Sequence, residues 1–393
     1  MDNKRPVRSR VRVRPGGGPP PSVDGHPGWV EQSVRQYGWL CAVSVMIQIM
    51  ITGVGPVLLG ARSAAWWVVL VGALLGGVLL WTPLWGLMRG GEQPRTLDEA
   101  LVASLGPVAG RALPLLYVLL LLMDAGVALR TVGSLVRRHM ISYGNETLAS
   151  VATLAALFTA LCAYGGKGLS RTAWLFRIPF AVMVAGTVLT MSQNAELSNL
   201  FPVLGQSVPE TLAQLPTSAG SVTGLLLLGL LPRETGSARP IPLRTGLWPL
   251  ALGALLAALY MLFINLSIGP RAISEDITLD VRLILAMQYV RRLYAYRIFF
   301  LFSITLLLAL SAGTGIAVGS MLVQSSLQAQ RLRWPVLGIC AAMLLFLLTV
   351  RRGAQALVNQ VFPWRLPIAA LPLWLAWGVD ALRRPQAKKE EKA

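Results

Sequence analysis

Long apolar runs dominate this sequence, and short segments that hold most of its charge separate them. About 20 apolar residues cross the hydrocarbon core of a bilayer as an α-helix. Only helices and closed barrels satisfy every backbone polar group there, and no ten-residue alternating pattern favours a barrel. We therefore predict an all-α integral membrane protein with about ten transmembrane helices. The runs lie at residues 37–60, 64–87, 113–136, 148–164, 173–191, 218–231, 247–268, 298–323, 336–350 and 366–381.

The composition excludes a soluble protein and argues against a nucleic-acid partner. Only 13% of the 393 residues are charged, 54% are hydrophobic, and the mean hydropathy is +0.60. Soluble domains have roughly 25% charged and 45–50% apolar residues. The net charge of +18 lies in the two tails and in short loops rather than on one folded face. Such a distribution is typical of a protein that cytoplasmic Lys and Arg orient in the membrane.

Two basic tails flank the predicted membrane domain. Residues 1–35 combine many arginines with a Gly/Pro-rich stretch and predict a disordered cytoplasmic tail. Residues 36–382 form the polytopic transmembrane domain, and residues 383–393 form a second basic cytoplasmic tail. The loops are nearly balanced in Lys and Arg between the two sides. Orientation therefore depends on the tails and on residues 193–216, which contain neither Lys nor Arg and are expected on the outer face.

Two short helices are predicted outside the spans. Thr96, followed by Asp98 and Glu99, has the pattern of a helix N-cap with acidic residues in the first turn. A short amphipathic helix on the membrane interface is expected to follow it. The acidic and basic residues of segment 274–296 predict a second interfacial helix.

The first span carries a feature that interrupts an α-helix. Pro56 has no backbone donor, and the nearby glycines tolerate conformations that expose carbonyl groups. Unpaired backbone groups inside a bilayer are tolerated only where they line a cavity or a ligand site. The alternative is an ordinary proline kink that a neighbouring helix stabilises. The candidate ligand-binding residues here are Thr52, Gly53, Val54, Gly55 and Pro56.

The sixth span shows a related interruption, which favours a ligand site over an ordinary proline kink. Small and hydroxyl residues open it, and Gly229 with Pro232 ends it early. Interrupted helices at corresponding positions of two halves indicate a transporter binding site, and the first and sixth of ten spans correspond in a five-plus-five inverted repeat. We expect a small ligand between the two interruptions, where helix-end N–H groups meet a carboxylate and carbonyls meet an ammonium or a cation. The candidate residues here are Ala219, Gly220, Ser221, Thr223 and Gly224.

Ten spans with broken first and sixth helices resemble the amino acid, polyamine and organocation (APC) transporter superfamily, whose fold is APC/LeuT-like. A closer resemblance, over residues 36–382, is to the B subunits of GerA-type spore germinant receptors. The segments that carry it are residues 36–60, Pro94-Arg95-Thr96-Leu97-Asp98-Glu99-Ala100, Val127-Ala128-Leu129-Arg130 and Leu200-Phe201-Pro202-Val203-Leu204-Gly205.

This resemblance implies a transporter-like sensor for a small germinant, commonly an amino acid. It also implies two partners, an A-type subunit and a lipoprotein C-type subunit, in the inner membrane of a dormant spore. The alternative from a different functional class is an amino acid permease driven by H⁺ or Na⁺.

Asp124 is the acid that lies well inside a predicted span, and a buried intramembrane acid is a functional candidate because its desolvation is costly. It is a candidate proton or ion site, a ligand for an amine, or half of a structural ion pair. Arg177 and Arg130 are its candidate partners, and Arg177 is the preferred one because Arg130 lies at a span end. Gln48 is polar within an apolar span, and interhelical hydrogen bonding is its default role.

No enzymatic signature is present in the sequence. Two histidines and one intramembrane acid cannot assemble a nucleophilic or paired-carboxylate constellation. Cys41, Cys162 and Cys340 lie inside apolar runs without metal-ligand spacing. We therefore expect a protein that is not an enzyme and that has neither a metal site nor a cofactor.

Overall fold

A computed structural model gives the fold of the chain. It describes residues 27–89, 94–139, 145–192, 195–205, 207–230, 242–268, 294–329, 331–349, 361 and 364–390. The described residues contain no β-strand. Their α-helices are α1 Pro27–Gln48, α2 Val54–Ala61, α3 Ala65–Met88, α4 Leu97–Leu105, α5 Pro107–His139, α6 Glu146–Leu175, α7 Arg177–Ser192, α8 Val208–Ala213, α9 Leu215–Ala219, α10 Arg244–Ile268, α11 Tyr294–Ser326, α12 Arg333–Thr349 and α13 Arg365–Glu390.

Within this part of the chain, six helical segments are long and apolar enough to cross a membrane, and two shorter apolar helices accompany them. The prediction of an all-α integral membrane protein is confirmed, whereas a total of ten spans stays a prediction. The six are Ser33–Ile51, Val57–Met88, Pro107–Arg137, Glu146–Leu175, Arg244–Ser267 and Ile298–Ser326, and the shorter two are Arg177–Leu189 and Arg333–Thr349.

The helices begin and end outside the predicted domain boundaries. Helix α1 begins at Pro27, before the predicted end of the basic tail at residue 35, and α13 continues to Glu390, beyond residue 382. Residues 1–26 lie outside the described part, as do residues 269–293, which contain most of the predicted interfacial helix 274–296.

Helices α5 and α11 form the most extensive helix pair in the described bundle. Glycines allow the close contacts. A Cβ at Gly315 of α11 would lie 2.9 Å from the carbonyl oxygen of Leu121 in α5. A Cβ at Gly76 of α3 would lie 2.3 Å from the carbonyl oxygen of Ala219. Small residues at such positions let helix backbones approach and gain dispersion energy, which is the main source of helix association in lipid.

The outer surface of the bundle is apolar, as a lipid-facing surface must be. Large hydrophobic side chains on several helices are more than half exposed. In water such a surface would be costly, whereas in hydrocarbon it has no solvation penalty. Examples are Leu75, Leu119, Ile178, Leu345 and Leu375.

Helix α4 confirms the predicted N-cap at Thr96. The backbone N–H of Thr96 donates to Glu99 Oε2 at 3.0 Å, and the two residues form a reciprocal capping box. The buried carboxylate of Asp98, in the first turn, accepts a hydrogen bond from the hydroxyl of Ser325. This contact joins α4 to the last turn of α11.

The motif at residues 200–205 lies across the start of α3. The carbonyl oxygen of Pro202 accepts a 2.6 Å hydrogen bond from Ser63 Oγ, and that of Val203 accepts a 2.9 Å bond from Trp67 Nε1. Gly205 has a φ of +79°, and a Cβ there would lie 2.4 Å from Thr211 Oγ1. A glycine is required at this turn because a side chain would be strained and would also clash.

Candidate functional site

The interruption predicted in the first span is a π-helical turn. It runs over Ile49–Gly53, between the end of α1 at Gln48 and the start of α2 at Val54. Pro56 cannot donate to the carbonyl four residues earlier, so regular α-helical bonding cannot continue through this region. Single π turns inside α-helices often mark functional sites. The backbone of the five predicted residues, from Thr52 to Pro56, lies in this turn and in the first turn of α2.

The sixth span also departs from α-helical geometry. Helix α9 ends at Ala219, and a three-ten helix continues over Gly220–Leu230. Val222 has non-helical φ and ψ angles of −109° and 18°. Three-ten segments longer than about four residues are uncommon, and within a helix they often mark a hinge. The candidate residues of this span, Ala219, Gly220, Ser221, Thr223 and Gly224, lie at this junction and are buried.

The two irregular spans meet at Gln48, the last residue of α1 before the π turn. Its Oε1 accepts a 2.7 Å hydrogen bond from the backbone N–H of Gly224 and lies 3.3 Å from Thr223 Oγ1. A Cβ at Gly224 would lie 3.1 Å from the same Oε1 and 3.2 Å from the Cβ of Ser44. The side-chain amide therefore substitutes for the bonding that the irregular backbone of the sixth span lacks. Gln48 fills the interhelical role expected of it.

Asp124, near the middle of α5, belongs to the same cluster. Its Oδ2 accepts a 2.8 Å hydrogen bond from Thr223 Oγ1 and lies 3.4 Å from Gln48 Nε2. Its Oδ1 forms an ion pair with Arg365, the first residue of α13. The Asp124 side chain is 5% exposed and that of Arg365 is fully buried. We call Gln48, Asp124, Thr223, Gly224 and Arg365 the polar cluster, and it joins α1, α5, α13 and the sixth span.

The predicted partner of Asp124 was wrong. Arg177 is exposed at the start of α7, and its guanidinium carbon lies 4.0 Å from the ring centroid of Trp174. Arg130 donates instead to the carbonyl oxygen of Leu347. A cation that stacks on an aromatic ring near a helix end keeps part of its hydration, whereas pairing with Asp124 would remove all of it.

Sequence reasoning missed Arg365, because this residue directly precedes the last apolar run and its position is typical of a charge at the end of a span. A signal was present. Arg365 stands between Pro363 and Pro367 and next to Trp364, without the further Lys or Arg that accompanies the tails. A single arginine in such an apolar setting is a candidate partner for an intramembrane acid, because each charge lowers the cost of burying the other.

Beside the π turn lies an apolar cavity of about 50 Å³. Four methionines and several aromatic side chains from α1, α7, α10 and α11 line it, and Met50 belongs both to the cavity and to the π turn. Methionine side chains repack easily because they are unbranched and flexible. Met50 therefore connects the π turn to a space lined by easily repacked side chains. Its methionines are Met46, Met50, Met183 and Met191.

Neither the cluster nor the rest of the described chain contains a group of three or more His, Cys, Asp and Glu side chains that could hold a metal ion. The polar atoms of the cluster are one carboxylate, one guanidinium, one carboxamide, one hydroxyl and a backbone amide. These groups are suited to hydrogen bonding and to pairing with charged ligands.

Residues 40–267 of the chain match the spore germination protein family. This match covers more than half of the sequence. The chain belongs to that family. It is also 31% identical, over 224 residues, to the putative spore germination protein YfkT of Bacillus subtilis (strain 168). That similarity covers 56% of this chain and spans 59% of the length of the relative. The predicted family is thus confirmed.

The fold of this family member is that of a transporter. A crystal structure of the Eremococcus coleocola manganese transporter, bound to an aromatic bis-isothiourea substituted compound, matches with a TM-score of 0.57. The match has 15% sequence identity and covers 90% of this chain and 80% of the transporter. A mutant of the same transporter matches with a TM-score of 0.51 and 14% identity, over 90% and 79% of the two chains. The APC/LeuT-like fold class is confirmed.

Proposed function

We propose that the chain is the transporter-like subunit of a nutrient germinant receptor in the spore inner membrane. A small germinant, an amino acid, would bind between the π turn of the first span and the three-ten segment of the sixth. Membership of the spore germination protein family and the transporter fold support this proposal. The proposal includes an A-type and a lipoprotein C-type subunit as partners and places both termini in the cytoplasm.

The polar cluster is the observation that carries the proposal. Its hydrogen bonds and its ion pair connect the two irregular spans to α5 and α13. A ligand that displaces Asp124 changes contacts in four helical segments at once, because this carboxylate contacts Gln48 of α1, Thr223 of the sixth span and Arg365 of α13. Binding shifts a conformational equilibrium only by its differential affinity for the two states, and a cluster shared by four segments supplies such a difference. The subunit would pass this change to its partners.

Glycine substitutions in spores test the site. A valine at Gly224 would place its Cβ 3.1 Å from Gln48 Oε1 and 3.2 Å from the Cβ of Ser44, so its two methyl groups would crowd the contact between the sixth span and α1. We expect Gly224→Val, Gly220→Val and Gly55→Val to block the germination response while the subunit keeps its normal abundance in the membrane. Gly338→Val is the matched control, because a Cβ at this exposed position of α12 meets nothing within 4 Å. An unchanged dose response in the three site variants would remove the proposed site.

The second candidate function is an amino acid permease driven by H⁺ or Na⁺. The likeness to a solved transporter fold favours it. In sealed vesicles a permease accumulates its substrate when an ion gradient is imposed, and Asp124→Asn abolishes this uptake. A receptor subunit binds the same compound without net flux. Measuring binding and uptake on the same vesicles therefore separates the two functions.

A further inference from the structure

A group of positive charges on α6 and α7 has no part in the proposed germinant site. Lys167, Arg171 and Arg177 are all exposed, and residues 147–195 contain neither Asp nor Glu. In the part of the chain that the structure describes, none of the three forms an ion pair. Water compensates exposed cations outside a membrane, so the depth of these residues decides what compensates their charges.

The three residues follow a break in α6. Gly165 has a φ of +60° and a ψ of −160°, so the backbone leaves helical geometry at this residue. The positive φ is one that glycine adopts without strain. The break falls between the predicted spans 148–164 and 173–191, where the chain is expected to reach the membrane surface.

One nearly continuous helix then carries all three cations. The N–H of Phe176, the residue between α6 and α7, donates to the carbonyl oxygen of Thr172 at 3.0 Å. The N–H of Phe180 in turn donates to the carbonyl oxygen of Phe176 at 2.9 Å. Residues 166–192 therefore extend over roughly 40 Å of helical rise, and positions along them report depth in the membrane.

The start of this helix lies at the level where the first span begins. Gly166 and Leu169 line a cavity of about 10 Å³ together with Tyr37, the first residue of the first predicted span. Lys167 is thus near the membrane surface, on the cytoplasmic side in the proposed orientation. Arg177 lies roughly 15 Å of helical rise farther along, which is about half of the thickness of the hydrocarbon core.

The side chain of Arg177 brings its charge back toward the surface. Side chains of a helix tilt toward its N-terminus, which here is the end at Lys167. The guanidinium carbon of Arg177 lies 4.0 Å from the ring centroid of Trp174, one turn nearer to Arg171. This is the orientation of an arginine that snorkels from hydrocarbon to the headgroup region. All three charges therefore converge on the depth at which lipid phosphates lie.

The surface around the three cations is apolar and exposed. Tyr164, Leu175 and Ile178 are 74%, 77% and 65% exposed. A ligand for this surface must offer an anion to the basic side chains and hydrocarbon to their neighbours. A phospholipid supplies both kinds of contact in one molecule, whereas a soluble anion supplies only the charge.

We propose that Lys167, Arg171 and Arg177 bind the phosphate group of an anionic membrane lipid, with Trp174 as the platform for the Arg177 guanidinium. Arginine pairs with two phosphate oxygens at once, and lysine adds a compact positive charge. The acyl chains lie along the exposed apolar side chains beside the cations. A lipid with a net negative charge, such as phosphatidylglycerol, is preferred to phosphatidylcholine, because the choline group would add a cation next to three others.

Lipid titrations of the full chain test the class of ligand. The chain is purified in a neutral detergent and titrated with phosphatidylglycerol or phosphatidylcholine, and bound lipid is counted by native mass spectrometry. We expect the anionic lipid to bind at least about 10-fold more tightly. Glycerol 3-phosphate, which has the phosphate without acyl chains, should not displace it. Equal affinity for the two lipids, or displacement by glycerol 3-phosphate, overturns the proposal.

The triple variant Lys167→Gln/Arg171→Gln/Arg177→Gln tests the location of the site. Each cation near an anionic lipid contributes about a factor of five to binding, so we expect the Kd for phosphatidylglycerol to rise about 100-fold. Arg177→Gln alone should raise it about five-fold, and this single exposed substitution keeps the test decisive if the triple variant does not fold.

A matched control removes three other exposed charges. Arg111→Gln/Arg331→Gln/Arg333→Gln makes the same change of net charge at positions on α5 and at the start of α12. We expect its Kd for phosphatidylglycerol to equal that of the unaltered chain. An unchanged Kd in the variants at 167, 171 and 177, or an equal loss of affinity in the control, overturns the proposal.

Discussion

The buried ion pair makes a quantitative prediction about stability. Asp124→Asn removes the carboxylate that pairs with the guanidinium of Arg365, which has 0% exposure. Removal of one partner of a buried pair costs about 3–5 kcal/mol, because the remaining charge keeps its desolvation penalty and loses its compensation. Arg365→Gln has a similar effect on the carboxylate of Asp124. Each single variant is therefore expected to be strongly destabilised.

The double variant Asp124→Asn/Arg365→Gln removes both charges and leaves two neutral amides. Its expected cost is about 1–2 kcal/mol, the value of imperfectly replaced hydrogen bonds. It should therefore be more stable than either single variant by about 1–4 kcal/mol, so that its loss is far smaller than the sum of the two single losses. Arg137 and Glu146 provide the control, since their side chains are 54% and 34% exposed and such pairs contribute about 1 kcal/mol or less.

The assay is equilibrium unfolding in mixed detergent micelles, followed by the fluorescence of the 12 tryptophans. Four proteins complete one cycle for each pair: the unaltered chain, two single variants and the double variant. The electrostatic argument is refuted if either single variant at the buried pair loses less than about 1 kcal/mol. It is also refuted if the double variant loses the sum of the two single values, because the two charges would then act independently.

Two further predictions concern local structure, and both are measured as shifts of thermal unfolding in detergent. Gly205→Ala should destabilise the chain by about 1–3 kcal/mol, because φ is +79° and the new Cβ would lie 2.4 Å from Thr211 Oγ1. Gly338 lies within a regular helix, and a Cβ added there would meet nothing within 4 Å, so Gly338→Ala should instead stabilise the chain by about 0.5–1 kcal/mol. Equal changes of stability in Gly205→Ala and Gly338→Ala would contradict the reasoning. Thr96→Ala should cost about 1 kcal/mol through loss of the capping box with Glu99, and an unchanged melting temperature would contradict this role.

The predicted irregularities of the first and sixth spans illustrate how far local sequence can go. Pro56 and the glycines around it rule out a regular α-helix, because a missing donor is a covalent property of the residue. These residues do not decide which irregular conformation replaces the α-helix. The backbone adopts a π turn over Ile49–Gly53 and a three-ten helix over Gly220–Leu230, and both depend on what packs beside them. Gln48, which bonds to Gly224 across 176 positions of sequence, is one such neighbour.

Charged residues show what local sequence cannot predict, namely which partner a buried charge has. The position of Asp124 within an apolar run already indicated that it needs a partner. Arg177 was the preferred candidate because it lies deeper in a run than Arg130, yet depth along a helix does not say which way the side chain points. Arg365 reaches Asp124 from a helix 241 positions away in the sequence, and the packing of α13 against α3, α4 and the sixth span brings the two together.

The sequence alone determined that lipid surrounds the folded chain, that the chain is helical, that Thr96 is an N-cap, and where α-helical geometry fails in two spans. These properties depend on composition and on residues close to one another in the chain, so they can be predicted without knowledge of tertiary contacts. The tertiary structure decided the shape of the two irregular turns, the role of Gln48 and the pairing of Asp124 with Arg365. A buried charge must be compensated by whichever opposite charge the packing brings near, and the chain order does not contain that distance.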